Sequence, residues 1–77
     1  MIVARDGRVP EVGIVASRKR VGSAVDRNRS KRRIRAALGS VALSEGSYIV
    51  LASREVLTAP FRELVGWLKT AMEETRD

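Results

Sequence analysis

The chain has 77 residues, of which 44% are hydrophobic and 31% charged, and its formal net charge is +6 with a pI near 11.1. That length is enough for one small domain, residues 1–77, and the composition is that of a globular chain. The absence of cysteine and histidine excludes disulfides, thiolate nucleophiles, imidazole bases and the usual zinc sites. No apolar run reaches the roughly 20 residues of a membrane helix, and no secretory signal is recognisable, so we expect a cytoplasmic protein without a membrane partner.

The beginning of the chain predicts two strands. Met1 to Arg5 is a β-branched run followed by the turn signal Asp6-Gly7-Arg8, which predicts a strand that ends in a hairpin connection. Glu11 to Ser17 is a mostly apolar run of strand length. Because continuous apolar runs of this length are typical of strands covered on both faces, we expect it to be the buried central strand.

A helix is predicted after a basic loop at residues 18–22. Ser23 can act as its N-cap, because its hydroxyl oxygen can accept a hydrogen bond from the first turn, and Gly39 is placed to end it after Leu38. Helical spacing gives this segment a core-facing stripe and an opposite polar ridge. The stripe comprises Ser30, Ile34, Ala37, Leu38 and Val41, and the ridge comprises Ala24, Asn28, Lys31 and Arg35, flanked by Arg27 and Arg32.

The rest of the chain predicts a third strand, Ser47 to Ser53, and a last helix that Thr58 or Ala59 caps with Pro60 in its first turn. The helix carries an apolar stripe that should pack on the sheet. Its members are Phe61, Leu64, Val65, Leu68, Ala71 and Met72, with Trp67 at the edge. We therefore expect an α/β (α+β) two-layer sandwich, in which a small sheet carries the basic crossover helix and the C-terminal helix on one side.

The positive charge is concentrated in one segment. Between Arg18 and Arg35 there are nine basic residues and one acid, Asp26, a net charge of +8, whereas the rest of the chain has six basic and eight acidic residues, a net charge of −2. An ordinary solvated helix intersperses acids at i+3 or i+4, but none lies between Arg27 and Arg35. We interpret this surface as the binding site of an external polyanion.

The residue types on this surface favour a nucleic acid. Arginine and lysine donate to phosphate oxygens, and the Asn28 amide can pair with a base or sugar edge. The candidate RNA-binding residues are Arg18, Lys19, Arg20, Arg27, Asn28, Arg29, Lys31, Arg32 and Arg35. Tyr48 and Trp67 lie in core patterns, so we expect them to pack rather than to stack on bases. No pair of acids has the spacing of a general acid/base site, and we expect no catalytic residue.

Residues 21–35 read Val-Gly-Ser-Ala-Val-Asp-Arg-Asn-Arg-Ser-Lys-Arg-Arg-Ile-Arg. The glycine, the Ala-Val pair, the Arg-Asn pair, the Lys-Arg pair and the last arginine, at these spacings, resemble the signature of the bacterial ribonuclease P protein component. Residues 12–19 are similar to that family's central strand and basic exit, and residues 46–54 to its following strand. The resemblance covers almost the whole chain.

The resemblance implies a ribonuclease P protein-like fold and a subunit of an endoribonuclease, ribonuclease P, in which a catalytic RNA removes the 5′ leader of precursor tRNA. The implied partners are the catalytic RNA and precursor tRNA, and the implied Mg²⁺ ions are held mainly by the RNA. By position, the helix residues Arg27, Asn28, Arg29, Lys31, Arg32 and Arg35 would face the catalytic RNA and the leader. Arg18, Lys19 and Arg20 would extend that surface.

We expect the chain to differ from the resembled family at its beginning and to lack that family's N-terminal helix and first strand. Aromatic residues of that region usually help to line the leader cleft, and here no aromatic residue precedes Tyr48. We therefore expect binding to the leader to be less secure than binding to the RNA subunit. We also expect exposed apolar surface near Met1 to Val3.

Three other functions compete with this interpretation. A DNA-binding module is disfavoured because strands flank the basic helix where a helix-turn-helix needs a second helix. A structural ribosomal protein would be equally small, basic and α/β, and only the Arg-Asn spacing argues against it. A membrane-surface helix is disfavoured because the face opposite the cations is narrow and is needed for the core. We expect neither DNA nor a membrane as a partner.

Overall fold

The structure is a computed structural model that describes residues 1–6, 12–41 and 47–74. Within these ranges the elements are β1 (Ile2–Arg5), β2 (Val12–Val15), α1 (Ala24–Leu38), β3 (Tyr48–Leu51), α2 (Glu55–Thr58) and α3 (Phe61–Glu74). Residues 7–8 of the predicted turn, and the predicted start of the second strand at Glu11, lie outside the described residues.

The three strands form a mixed sheet in the order β1-β3-β2. β3 pairs antiparallel with β1, with Ile2 opposite Leu51, and parallel with β2, with Val12 opposite Tyr48. The central strand is therefore β3, and the prediction that Glu11 to Ser17 forms it was wrong. The predicted hairpin was also wrong, since β3 lies between β1 and β2.

The error has a physical reason, because an apolar sequence shows that a strand can be covered, but neither that its faces are covered nor which of its edges are paired. β2 is apolar yet lies at an edge of the sheet, and it is not buried as predicted, since none of its residues is fully buried and Val15 is exposed. β3 alternates the fully buried Tyr48 and Val50 with the half-buried Ile49 and Leu51. That alternation places one face of the central strand on the core.

The core lies between that face of the sheet and the helices. α1 packs against β2, α2 and α3, and α3 also packs against β1. The helical residues buried in the core are Ile34, Ala37, Val56, Leu64, Leu68 and Met72. The predicted α+β fold, with its basic crossover helix and C-terminal helix, is confirmed.

The short helix α2 was not predicted. It buries Val56 and ends where the Ala59 N–H donates to the Glu55 carbonyl at 2.9 Å. Ala59 is extended, as a residue before proline prefers, and the Pro60 carbonyl accepts the first helical hydrogen bond of α3, from Leu64. Thr58 therefore belongs to α2, and Pro60 precedes α3 rather than lying in its first turn.

The Glu55 carboxylate connects α2 to β1 through an ion pair with the terminal ammonium of Met1. This ammonium, which donates a hydrogen bond to the carboxylate, is the largest cause of a lowered Glu55 pKa, and a hydrogen bond with Ser53 lowers that pKa further.

Of the two aromatic residues predicted to pack in the core, one is buried and the other is partly exposed. Tyr48 is buried, as predicted, but Trp67 is 40% exposed and does not pack fully into the core. Ile2 is 47% exposed, which confirms the expected apolar surface near the start of the chain. In the part of the chain that the structure describes, no helix has the length and apolar character needed to cross a membrane.

Candidate nucleic-acid interface

The basic loop between β2 and α1 is fixed by the backbone and by one arginine. The Ser17 carbonyl accepts a hydrogen bond from the Val21 N–H at 2.9 Å, and the Ser17 hydroxyl oxygen accepts one from the Arg20 N–H at 3.2 Å. The Val21 side chain is fully buried, and its carbonyl accepts a hydrogen bond from Arg54 Nη1 at 2.8 Å. The side chains that this loop presents to solvent are Arg18, Lys19 and Arg20.

Gly22 allows the loop to turn into the helix. Its φ of +121° lies in a region that residues with a side chain rarely adopt, and an added Cβ would lie 3.0 Å from Arg54 Nη1. The glycine of the signature is therefore required both by the backbone conformation and by the arginine that closes the loop.

Ser23 caps α1 as the sequence predicted. Its hydroxyl oxygen accepts a hydrogen bond from the Asp26 N–H at 3.2 Å, and its carbonyl accepts one from the Arg27 N–H at 2.9 Å. The Asp26 carboxylate lies in the first turn, where the partial positive charge of the helix favours an anion. The cap therefore fixes the start of α1 directly after the basic loop.

The inner face of α1 holds the helix in the core. Ser30, Ile34 and Ala37 are fully buried, and the Ser30 hydroxyl donates to the Arg27 carbonyl at 2.8 Å, so its polar group has a partner. The predicted stripe is confirmed apart from Leu38, which is only half-buried. Burial of this face orients the remaining side chains outward.

The outer face of α1 brings most of the predicted site residues together. Asn28, Arg29, Arg32 and Arg35 are exposed, whereas Arg27 and Lys31 are half-buried. An open groove of about 450 Å³ runs along this face. It is lined by Val25, Asn28, Lys31, Arg32 and Arg35. The sequence had not marked Val25, which is 74% exposed and adds an apolar side chain to the lining.

No acid among the described residues neutralises these cations, whether on α1 or on the basic loop, through a salt bridge. The Arg27 Nε donor is buried and has no acceptor within the same part of the chain. The arrangement can therefore bind a polyanion, with guanidinium forks for phosphate oxygens and an amide beside them.

Arg33 has a different role from its neighbours. Its Nη1 donates to the Val56 carbonyl at 2.7 Å and its Nη2 to the Ala59 carbonyl at 2.5 Å. The side chain joins α1 to the end of α2, so it stabilises the fold instead of presenting free donors. The position of Arg33 in the charged segment did not predict this structural role, because the contact depends on helix α2, which was itself not predicted.

A family model described as Ribonuclease P matches residues 1–76. The chain belongs to this family. It is 44% identical over 64 residues to a protein of Thermus scotoductus named "Ribonuclease P protein component", an alignment that covers 83% of this chain and 39% of that protein. Proteins of the same name from two strains of Thermus thermophilus are 49% identical over 53 residues, which is 69% of this chain and 32% of each relative. No solved structure matches the chain.

The alignments thus span less than two fifths of these relatives. Membership of the ribonuclease P family confirms the resemblance drawn from residues 21–35. In the fold, this segment forms the end of the basic loop, the helix cap and most of α1. The glycine of this segment therefore turns the chain into the helix, and most of its arginines form the exposed face of α1.

The described residues contain no group of three or more histidine, cysteine, aspartate or glutamate side chains able to hold a metal ion. The basic face itself offers only donors, apart from the Asn28 amide oxygen, and donors do not bind a cation. This face therefore does not fit a protein-held magnesium site.

Proposed function

We propose that this chain is an RNA-binding protein subunit of ribonuclease P, or the part of one that carries the basic helix. In this role it assists the catalytic RNA in removing the 5′ leader of precursor tRNA in the cytoplasm. The observation that carries the proposal is the face of α1, whose cations have no acidic partners among the described residues. The names of the Thermus relatives support the same role.

The proposed contacts divide by chemistry. Arg32 and Arg35 are exposed on successive turns and bind phosphate oxygens, which gives affinity without base recognition. Asn28 lies in the same groove, and its amide pairs with a base or sugar edge. The loop residues Arg18, Lys19 and Arg20 extend the contact along the RNA backbone.

The Mg²⁺ ions of the proposed reaction are held mainly by the RNA. The chain's own part is to lower the repulsion between the catalytic RNA and the tRNA precursor by placing cations between them. It contributes binding, and the RNA contributes the cleavage.

The test is binding of the chain to the catalytic RNA of ribonuclease P, with Arg32→Ala and Arg35→Ala as the variants. Each should weaken binding and lower the salt dependence by the equivalent of about one phosphate contact. The matched control is Lys69→Ala, which removes an exposed cation from α3. Equal losses from Lys69→Ala and Arg32→Ala would show that net charge, and not the α1 face, binds the RNA.

A further inference from the structure

A second groove lies on the other side of Arg32, between α1 and the first residue of α3. It is open to solvent and has a volume of about 290 Å³. Its lining consists of Arg29, Arg32, Arg33, Ala36 and Phe61. Arg32 lines both grooves, so the second groove continues the basic face described above. We call it the Phe61 groove.

Phe61 is exposed to an unusual degree for its place in the sequence. It begins the apolar stripe of α3, in which Leu64 and Leu68 are fully buried. Phe61 is nevertheless 43% exposed. Part of this apolar side chain therefore stays in water, and the fold presents an aromatic surface.

The surroundings of Phe61 distinguish it from the other exposed aromatic ring. Trp67 lines a groove with Met1, Glu55 and Ala71, where the charged side chain is an acid. Phe61 lies instead among arginines. The Glu55 carboxylate is already paired with the Met1 ammonium, so that groove offers an anionic ligand no unpaired cation among its lining residues, whereas the Phe61 groove offers Arg29 and Arg32.

The three arginines of the Phe61 groove are not equivalent. The Arg33 guanidinium is bonded to the carbonyls of Val56 and Ala59, so it forms a fixed wall. Arg29 and Arg32 are exposed and have no acidic partner in the described ranges. An exposed aromatic ring that shares a groove with guanidinium groups lacking acidic partners is a combination that binds single-stranded nucleic acid, with the base on the ring and the phosphates on the cations.

We propose that the Phe61 groove binds one unpaired base of the RNA, stacked on the Phe61 ring, while Arg29 and Arg32 bind the phosphates on either side. The inference rests on the proposed function. It adds a contact with a base to the proposed contacts with phosphate. Because every base has a π-face, this contact selects unpaired nucleotides over paired ones without selecting a sequence.

The first experiment measures binding of two probes, hexa-adenylate RNA and an abasic strand with the same number of phosphates. Phe61→Leu keeps an apolar side chain of similar size but removes the ring, and it should weaken binding of hexa-adenylate by about fivefold or more. Phe61→Tyr keeps the ring and should bind as the unchanged chain does. The abasic strand should bind all three proteins equally. Thermal unfolding confirms that each variant is folded.

The second experiment reads stacking directly. Because the chain has one tryptophan, the double variant Phe61→Trp with Trp67→Phe carries its only indole in the Phe61 groove. Hexa-adenylate should quench its fluorescence at saturation much more strongly than the abasic strand does. Equal quenching by the two probes would overturn the inference.

The outcomes separate the inference from the proposed function. If Arg32→Ala and Arg35→Ala weaken binding to the catalytic RNA while Phe61→Leu binds hexa-adenylate normally, the Phe61 ring does not stack on a base. The inference then fails and the proposed function stands. If none of these variants weakens binding to either RNA, the proposed function itself fails.

Discussion

Two adjacent arginines of α1, Arg32 and Arg33, should respond oppositely to the same substitution. Arg33→Ala removes the two hydrogen bonds that join α1 to the end of α2. Arg32→Ala removes an exposed side chain with no acidic partner among the described residues. The first change should therefore affect stability, and the second should affect RNA binding.

The size of the stability effect follows from the Arg33 contacts. Hydrogen bonds from a charged group contribute about 1.5–3 kcal/mol each, but water can replace part of that for a side chain that is only half-buried. We therefore expect a loss of about 2 kcal/mol from Arg33→Ala, less than the roughly 3–6 kcal/mol that two fully buried bonds of this kind would contribute. For a domain of this size that corresponds to a fall in Tm of about 8–16 °C.

Thermal unfolding followed by circular dichroism measures this difference, with Arg32→Ala as the control because it removes the same charge and introduces the same residue. Arg32→Ala should change stability by no more than about 0.5 kcal/mol. Arg33→Lys should fall between the two, since it keeps the charge but cannot reach both carbonyls with a planar fork. Equal Tm values for Arg32→Ala and Arg33→Ala would refute the assignment of Arg33 to the fold.

Three further predictions concern the loop, the cap and the charge. Gly22→Ala should destabilise the fold by about 1 kcal/mol or more and weaken RNA binding, because alanine is strained at this φ and its Cβ would displace Arg54. Calorimetry measures the stability and a titration measures the binding, and an unchanged Tm would contradict the prediction. Ser23→Ala should lower the free energy of unfolding by about 1 kcal/mol, whereas Ser23→Asp should retain stability because its carboxylate can also cap the helix. Chemical denaturation measures this difference, and equal stability of the two variants would count against the cap. Affinity for structured RNA should fall with salt with a log-log slope of about −4 or steeper, whereas a slope near −1 would mean that the +8 segment is not the contact.

The sequence was sufficient to predict the local features of the basic helix α1. Ser23 as the cap, Ser30 and Ile34 as buried positions, and the exposure of Arg32 all follow from helical geometry, because they depend on residues at most four positions apart. The same reasoning located the basic loop before the helix. These features form the greater part of the candidate site.

What the sequence could not predict depends on contacts between distant segments. The central position of β3 is decided by which strands pair at its edges, and β1 and β2 pair with it from opposite sides. The role of Arg33 depends on carbonyl groups more than 20 positions away, at Val56 and Ala59. Phe61 follows the helical period of a core residue, and only the placement of α3 beside α1 leaves its ring in a basic groove.

The most direct test of the central claim is reconstitution of precursor tRNA cleavage from the purified chain and the catalytic RNA. At an Mg²⁺ concentration too low for the RNA alone, the chain should restore removal of the 5′ leader, and Arg32→Ala should restore it less well. The chain without RNA should cleave nothing. Cleavage by the RNA-free chain that survives a further purification step, or an RNA that gains nothing from the chain, would contradict the proposed function.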